Sequence, residues 1–163
     1  MSFLSRLLGT EPDPREAMRP LWRRVVETAR DPDWYANRGV ADSVEGRFDM
    51  ITLVLALVML RMDEDADLRP RTALLTELFV EDIEGQIREQ GVGDPVVGKH
   101  MGRLMGTLGG RIAAYRRGLA EEGPALEEAA RRNVALLADE NAAEQERAAR
   151  RGDDGEYDEE DLG

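Results

Sequence analysis

Hydrophobic residues recur along most of this chain at the three- and four-residue spacing of amphipathic α-helices. Runs rich in β-branched and aromatic residues are scarce, so the pattern predicts an all-α fold, a single bundle of helices. Proline, glycine and acidic residues mark the breaks, and Trp34-Tyr35 begins a connector that ends at Gly39. About five helices are predicted, at residues 16–30, 42–62, 70–90, 96–119 and 125–139.

The second predicted helix is apolar on nearly all sides between residues 50 and 60. This run is shorter than the roughly 20 apolar residues that cross a membrane, and charged residues stand on both sides of it. Helices of this kind lie in the middle of a bundle. At its start, Asp42 can cap the helix while Glu45 reaches back in a capping-box spacing.

The fourth predicted helix carries two neighbouring stripes of different character. Each glycine inside a helix costs about 1 kcal/mol relative to alanine, so a stripe of glycines needs a compensating role. The apolar stripe contains Met101, Leu104, Met105, Leu108, Ile112, Tyr115 and Leu119. The stripe of small residues contains Gly98, Gly102, Gly106, Gly109, Gly110 and Ala113.

Two roles could compensate for the small-residue stripe. One is close packing of the backbone against another helix of the same bundle. The other is a groove for an apolar helix of a partner protein, flanked by adaptable methionines. Lys99, His100, Arg103, Arg111 and Arg117 are predicted to form a basic edge beside the stripe. On the second interpretation the candidate partner-binding residues are Gly98, Met101, Gly102, Met105, Gly106 and Gly109.

The net charge of −12 is concentrated near the C-terminus, where residues 139–163 contain 11 acidic residues and 3 arginines. We therefore predict an N-terminal arm (1–14), a helical domain (15–139) and an acidic tail (140–163) that is disordered or a fraying helix. A specific nucleic-acid partner is not expected, because such proteins carry a broad basic face. The arm has apolar residues that could pack on the bundle or rest on a membrane surface, namely Phe3, Leu4, Leu7 and Leu8.

Few residues could support catalysis or hold a metal. The chain has no cysteine and a single histidine, His100, which excludes thiolate sites and histidine pairs. None of its serines lies in a Gly-x-Ser-x-Gly elbow. The acidic turn at 63–67 begins like a calcium loop, but it lacks the following glycine and the final glutamate. We therefore predict neither an enzyme nor a metal or cofactor site.

Three sequence blocks, in order between residues 20 and 120, carry a more specific signal. The first is Trp34-Tyr35 followed by GVADSVEGRFDM at 39–50; the second is LFVEDI at 78–83, which leads to GVGD at 91–94; the third is GRIAAY at 110–115. Together they resemble the ubiquinol–cytochrome c chaperone family. The residues that carry this resemblance are Trp34, Tyr35, Gly39, Gly46, Arg47, Phe48, Asp49, Phe79, Asp82, Gly91, Gly93, Asp94, Lys99, Gly110, Arg111 and Tyr115.

The resemblance implies an all-helical chaperone that acts in assembly of the cytochrome bc1 complex. Mitochondrial relatives bind newly made cytochrome b and hold it until haem is inserted. The expected partner is therefore newly synthesised cytochrome b or a bc1 assembly intermediate, and no cofactor of the protein's own is expected. The expected location is the cytoplasm, either free or at the cytoplasmic face of the inner membrane.

Alternatives remain at this stage. The chain could be a helical adaptor that stays bound to a membrane complex, or a small enzyme that uses buried carboxylates. Within the motif, Arg47 and Asp49 are expected in an ion-pair or capping network, with Asp82 and Arg111 as candidate partners, because an interior charge needs pairing.

Overall fold

The computed structural model describes residues 12–153, and the predicted all-α class is confirmed in this part of the chain. Seven α-helices are present there, together with two short 3-10 helices at Pro14–Met18 and Arg69–Arg71. The α-helices are α1 (Arg19–Ala29), α2 (Pro32–Ala36), α3 (Val44–Asp63), α4 (Thr72–Glu89), α5 (Asp94–Ala120), α6 (Ala125–Asn133) and α7 (Leu137–Asp153). The five predicted helices correspond to α1, α3, α4, α5 and α6.

Helix α3 occupies the centre of the bundle, as its apolar sequence predicted, and packs against α1, α4 and α5. Its start differs from the prediction. Ser43, not Asp42, is the cap, since the Ser43 Oγ accepts a hydrogen bond from the Gly46 amide at 3.1 Å. Asp42 instead accepts a hydrogen bond from the Arg47 side chain at 2.8 Å. Asp42 is one residue too early, because a cap reaches the amides two or three positions further on.

Gly46 in the first turn of α3 is required by close packing. A Cβ atom at this position would lie 2.0 Å from the Ala41 carbonyl oxygen, which is a backbone atom and cannot turn aside. The motif glycine at 46 thus lets the loop before α3 fold tightly onto the helix.

The N-terminal 3-10 helix and α1 cover one side of α3 and α4. Trp22 of α1 is buried and meets Phe79 of α4 edge-on, with the ring centroids 6.0 Å apart. Arg15 and Arg19 form ion pairs with Glu81 of α4, at 3.0 and 3.4 Å. Residues 1–11, which include the apolar positions of the predicted arm, lie outside the described residues.

The prediction for the fifth helix was wrong at its C-terminal end. Helix α6 ends at Asn133, and the chain then extends before α7 begins at Leu137. This short extended stretch pairs with residues 39–41: the Ala41 amide donates to the Ala135 carbonyl at 3.0 Å, and the Leu137 amide donates to the Gly39 carbonyl at 2.9 Å. Long-range pairing of the backbone therefore overrides the local helical pattern.

Helix α7 crosses residue 139, where the predicted domain and tail were divided. The sequence predicts disorder or a fraying helix beyond residue 140, and helix is found there as far as Asp153. Near its start, Ser43 Oγ donates to Glu140 Oε1 at 2.8 Å. The rest of the predicted tail, 154–163, lies outside the described residues. No helix between residues 12 and 153 has the length and apolar character needed to cross a bilayer.

Candidate functional site

The most deeply buried charge in the motif region is Asp49 of α3, and it pairs with Arg111 of α5. Asp49 Oδ1 lies 2.5 Å from Arg111 Nη2, and the two side chains are only 4% and 14% exposed. Asp49 Oδ2 also accepts a hydrogen bond from the Ala135 amide at 2.9 Å. One carboxylate therefore ties together α3, α5 and the extended stretch between α6 and α7. We call the Asp49 carboxylate, the Arg111 guanidinium and the Ala135 amide the Asp49 clamp.

Arg111 is held from two further sides. Its Nη1 donates to the hydroxyl of Thr52, which in turn donates to the Asp49 backbone carbonyl at 2.9 Å. The guanidinium carbon lies 5.6 Å from the centre of the Phe48 ring, a distance at which a cation is attracted to the ring face. The Arg111 guanidinium is thus neutralised by a carboxylate, hydrogen-bonded to a hydroxyl and placed over an aromatic ring. Its charge is therefore tolerated inside the bundle.

Of the four residues expected in an ion-pair or capping network, the structure brings Asp49 and Arg111 together, whereas the other two lie elsewhere. Arg47 is exposed and pairs with Asp42 at 2.7 Å, away from the clamp. Asp82 is half-buried and forms no ion pair within residues 12–153. The prediction placed Arg111 on a basic edge with Lys99 and Arg103. That placement was wrong, because Arg111 points into the bundle.

The motif aromatics Trp34 and Tyr35 close the end of α1. Trp34 Nε1 donates to the Thr28 carbonyl and the Tyr35 hydroxyl donates to the Ala29 carbonyl, both at 2.8 Å. The last carbonyls of a helix have no partner within it, so these side chains satisfy groups that would otherwise need water. Both aromatics are half-buried, and burial raises the pKa of Tyr35 above its ordinary value.

A large cleft opens between α2, α3, α4 and α5. Its volume is about 1220 Å³, and no local sequence pattern predicts it because its walls come from four separate helices. Val44, at the start of α3, stands on its wall with 85% of its surface exposed, and His100 lines it from α5. Most of the lining is apolar, including Pro32, Tyr35, Val44, Phe48, Ile51, Ile83, Ile87 and Leu104.

The glycines of the small-residue stripe lie on the opposite side of α5 and face solvent, whereas Ala113 is half-buried. We call this side the outer face; it lies opposite the buried residues Val97, Leu108 and Tyr115. A Cβ atom added at any of the stripe glycines would meet nothing within 4 Å. The interpretation of the stripe as a packing surface within the bundle is therefore wrong. The open glycines are Gly98, Gly102, Gly106, Gly109 and Gly110, and four of them recur every fourth residue.

The apolar stripe of α5 faces the core, except at its end. Leu108 and Tyr115 are buried, while Met101 and Met105 are half-buried and pack against the core from the margins of the outer face. Leu119 belongs to the same stripe, but it is 53% exposed. The methionines therefore border the outer face without lying on it.

Comparison with known proteins shows to which family the chain belongs. A model of the ubiquinol–cytochrome C chaperone family matches residues 36–150. The chain belongs to this family. It is also similar to the crystal structure of the Cbp3 homolog from Brucella abortus, with 32% sequence identity and a TM-score of 0.64, over 74% of this chain and 68% of that one. The comparison with curated proteins gave no match.

The motif residues of this chaperone-family chain divide into a structural and an exposed group. Phe79 and Tyr115 belong to the core; the Tyr115 hydroxyl has no hydrogen-bond partner within residues 12–153, and burial raises its pKa. Gly39 and Gly91 have φ values of 78° and 79°, which favour glycine. Both glycines are exposed, and the other exposed motif residues are Arg47, Gly93, Asp94, Lys99 and Gly110; Asp94 pairs with Arg88.

Within the described part of the chaperone-family chain, no group of three histidine, cysteine, aspartate or glutamate side chains is placed to hold a metal. Among the described residues, the cleft and the outer face are two surfaces open to a partner, and both involve α5. Helix α5 therefore carries the candidate site, and the Asp49 clamp fixes this helix to the rest of the bundle.

Proposed function

We propose that this protein is an assembly chaperone of the cytochrome bc1 complex, and that it binds newly made cytochrome b through helix α5. Membership of the ubiquinol–cytochrome c chaperone family supports the first part and implies a binding role rather than catalysis. The observation that carries the second part is the open glycine face, because nothing in the described bundle uses it. The proposed place of action is the cytoplasm, at the inner face of the membrane that receives the client.

The spacing of the open glycines suits an apolar helix as client. Gly98, Gly102, Gly106 and Gly110 recur every fourth residue, so they form one continuous strip along α5. Small residues at this spacing allow two helix backbones to approach closely, and they are typical of contacts between membrane helices. Met101 and Met105 border the strip and can adapt their shape to a client's side chains.

The cleft offers a second contact for the same client. Its volume of about 1220 Å³ leaves room for a peptide segment. Two arginines and two acidic residues line it, Arg30 and Arg47 with Asp42 and Glu45, which gives it no net charge. The cleft therefore does not select a client by net charge.

Leucine substitutions on the outer face test the proposal. We expect Gly102→Leu combined with Gly106→Leu to block capture of newly made cytochrome b, because the added side chains would hold a client backbone away from α5. The double variant should remain a folded monomer, since both positions are open. Capture is measured by pull-down of the tagged protein from cells in which bc1 assembly is stalled.

Two further variants separate the possible outcomes. Gly85→Leu is the matched control, because Gly85 is an exposed glycine inside α4 with nothing within 4 Å of an added Cβ. Val44→Asp places a charge at the wall of the cleft. Capture lost only with Val44→Asp would move the site to the cleft, and full capture by every variant would contradict both surfaces. Recovery of mature, haem-loaded complex instead of immature cytochrome b would favour a stably bound adaptor.

A further inference from the structure

The outer face of α5 is basic, although the chain as a whole carries a net charge of −12. Lys99, Arg103 and Arg117 are exposed on this side. None of the three forms an ion pair with another residue in the described range 12–153, whereas Arg111 and Arg116 both do. Residues 95–120 contain no aspartate or glutamate. The face therefore presents cations that the bundle does not neutralise.

The complementary charge lies at the end of the chain, in residues 154–163. This segment has no lysine or arginine, and it carries two apolar side chains, Tyr157 and Leu162, that could lie against a smooth helix surface. Its six acidic residues are Asp154, Glu156, Asp158, Glu159, Glu160 and Asp161.

The path of the chain brings this segment within reach of α5. The Asp49 carboxylate binds both the Ala135 amide, just before α7, and Arg111 in α5, so α7 starts beside the middle of α5. The 17 residues of α7 span about 26 Å at 1.5 Å per residue. The ten residues from 154 to 163 can extend over roughly 33–36 Å. The far end of α7 lies no more than about 26 Å from its start beside α5, and the distal acids of the segment, Glu159 to Asp161, can extend back over that distance.

We propose that residues 154–163 bind the outer face of α5 in the same molecule and compete there with the client. Exposed ion pairs are individually weak. A short tether, however, raises the effective concentration of the segment to the order of millimolar, so several weak pairs can cover the face. Such a cover is displaceable and sensitive to salt. Competition with the client rests on the proposed function, whereas binding of residues 154–163 to α5 is tested without any client.

The glycines provide the readout, because their backbone amides lie on the face in question. Nuclear magnetic resonance spectra are compared between the full chain and a full-length variant in which the six acids become Asn or Gln. At low salt we expect shifts at Gly102, Gly106 and Gly110, and we expect no shift at the packed Gly46 and Gly118. The difference should disappear at about 0.5 M salt, where the Debye length falls to a few ångströms. Unchanged signals on α5 at low salt would overturn the proposal.

Charge reversals show which cations are responsible. In a chain that carries Lys99→Glu and Arg103→Glu, neutralising the acids of residues 154–163 should no longer shift the glycine signals of α5. Arg23→Glu with Arg61→Glu makes the same change in net charge at exposed sites on α1 and α3, and it should leave the effect intact. If both double variants lost the glycine shifts to the same extent, a specific contact with α5 would be overturned. Shifts that grow with protein concentration would also overturn the proposal, because they would place the segment on a second copy.

Discussion

The inner and outer faces of α5 differ in how tightly their residues are packed. On the inner face, Gly118 lies so close to α6 that a Cβ atom would come within 2.9 Å of the Leu126 backbone, and Arg111 is fixed by the Asp49 clamp. On the outer face, Gly102 and Gly106 meet nothing. The same residue type, in one helix, is required by packing on one side and unexplained by packing on the other.

The difference separates glycines that stabilise this fold from glycines that weaken it. At Gly118 the missing Cβ permits a helix contact, which compensates for the conformational entropy lost on folding. At the outer positions no compensating contact exists in the described bundle, so each glycine costs about 1 kcal/mol of helix stability. A cost of this kind is typical of surfaces that serve a function at the expense of stability.

The largest expected effect concerns the clamp on the inner face. Arg111→Ala leaves the Asp49 carboxylate buried without its cation, and we expect a loss of about 3–5 kcal/mol in the free energy of unfolding. Urea denaturation followed by circular dichroism measures it. Arg103→Ala, on the outer face of the same helix, should change stability by less than about 0.5 kcal/mol. Similar losses in both variants would show that the inner and outer faces do not differ.

A smaller loss is expected where α5 meets α6. Gly118→Ala forces the helices apart, because the obstructing atoms belong to the Leu126 backbone, and we expect a loss of about 1–3 kcal/mol. Thermal unfolding gives the value. Gly110→Ala is the control in the same helix, and a loss there as large as at Gly118 would contradict the open surroundings of Gly110.

The smallest effect has the opposite sign. Gly106→Ala should raise the free energy of unfolding by about 1 kcal/mol, since alanine favours helix and the added Cβ meets no obstacle. For a chain of 163 residues this corresponds to a rise in Tm of about 2–4 °C, measurable by calorimetry. A lower Tm would mean that the outer face is packed after all.

Much of the fold could be predicted because it depends on local spacing. The apolar run at 50–60 is buried on most sides in any bundle, so the central place of α3 followed from the sequence alone. Arg111 was also a candidate partner in the network expected around Asp49, since a charge beside that run needs a partner of opposite sign, but the sequence alone did not select this pair.

The remaining features depend on contacts between distant parts of the chain. The stretch after Asn133 has a helical pattern, but its backbone pairs with residues 39–41 and with the Asp49 carboxylate, and so it extends. The cleft is built from four helices, and no local pattern marks it. The sequence also could not decide whether the glycine stripe faces the bundle or the solvent, because small residues suit both a contact with a neighbouring helix and a contact with a partner protein.

The central claim, that the outer face of α5 binds the client, is tested most directly by site-specific cross-linking in the native cells. A photo-crosslinking amino acid replaces Gly102 in one variant and Gly85, the exposed glycine of α4, in another, and bc1 assembly is stalled before illumination. We predict that immature cytochrome b is linked from position 102 and not from position 85. Absence of cytochrome b from the products at 102, or equal yields at both positions, would contradict the claim.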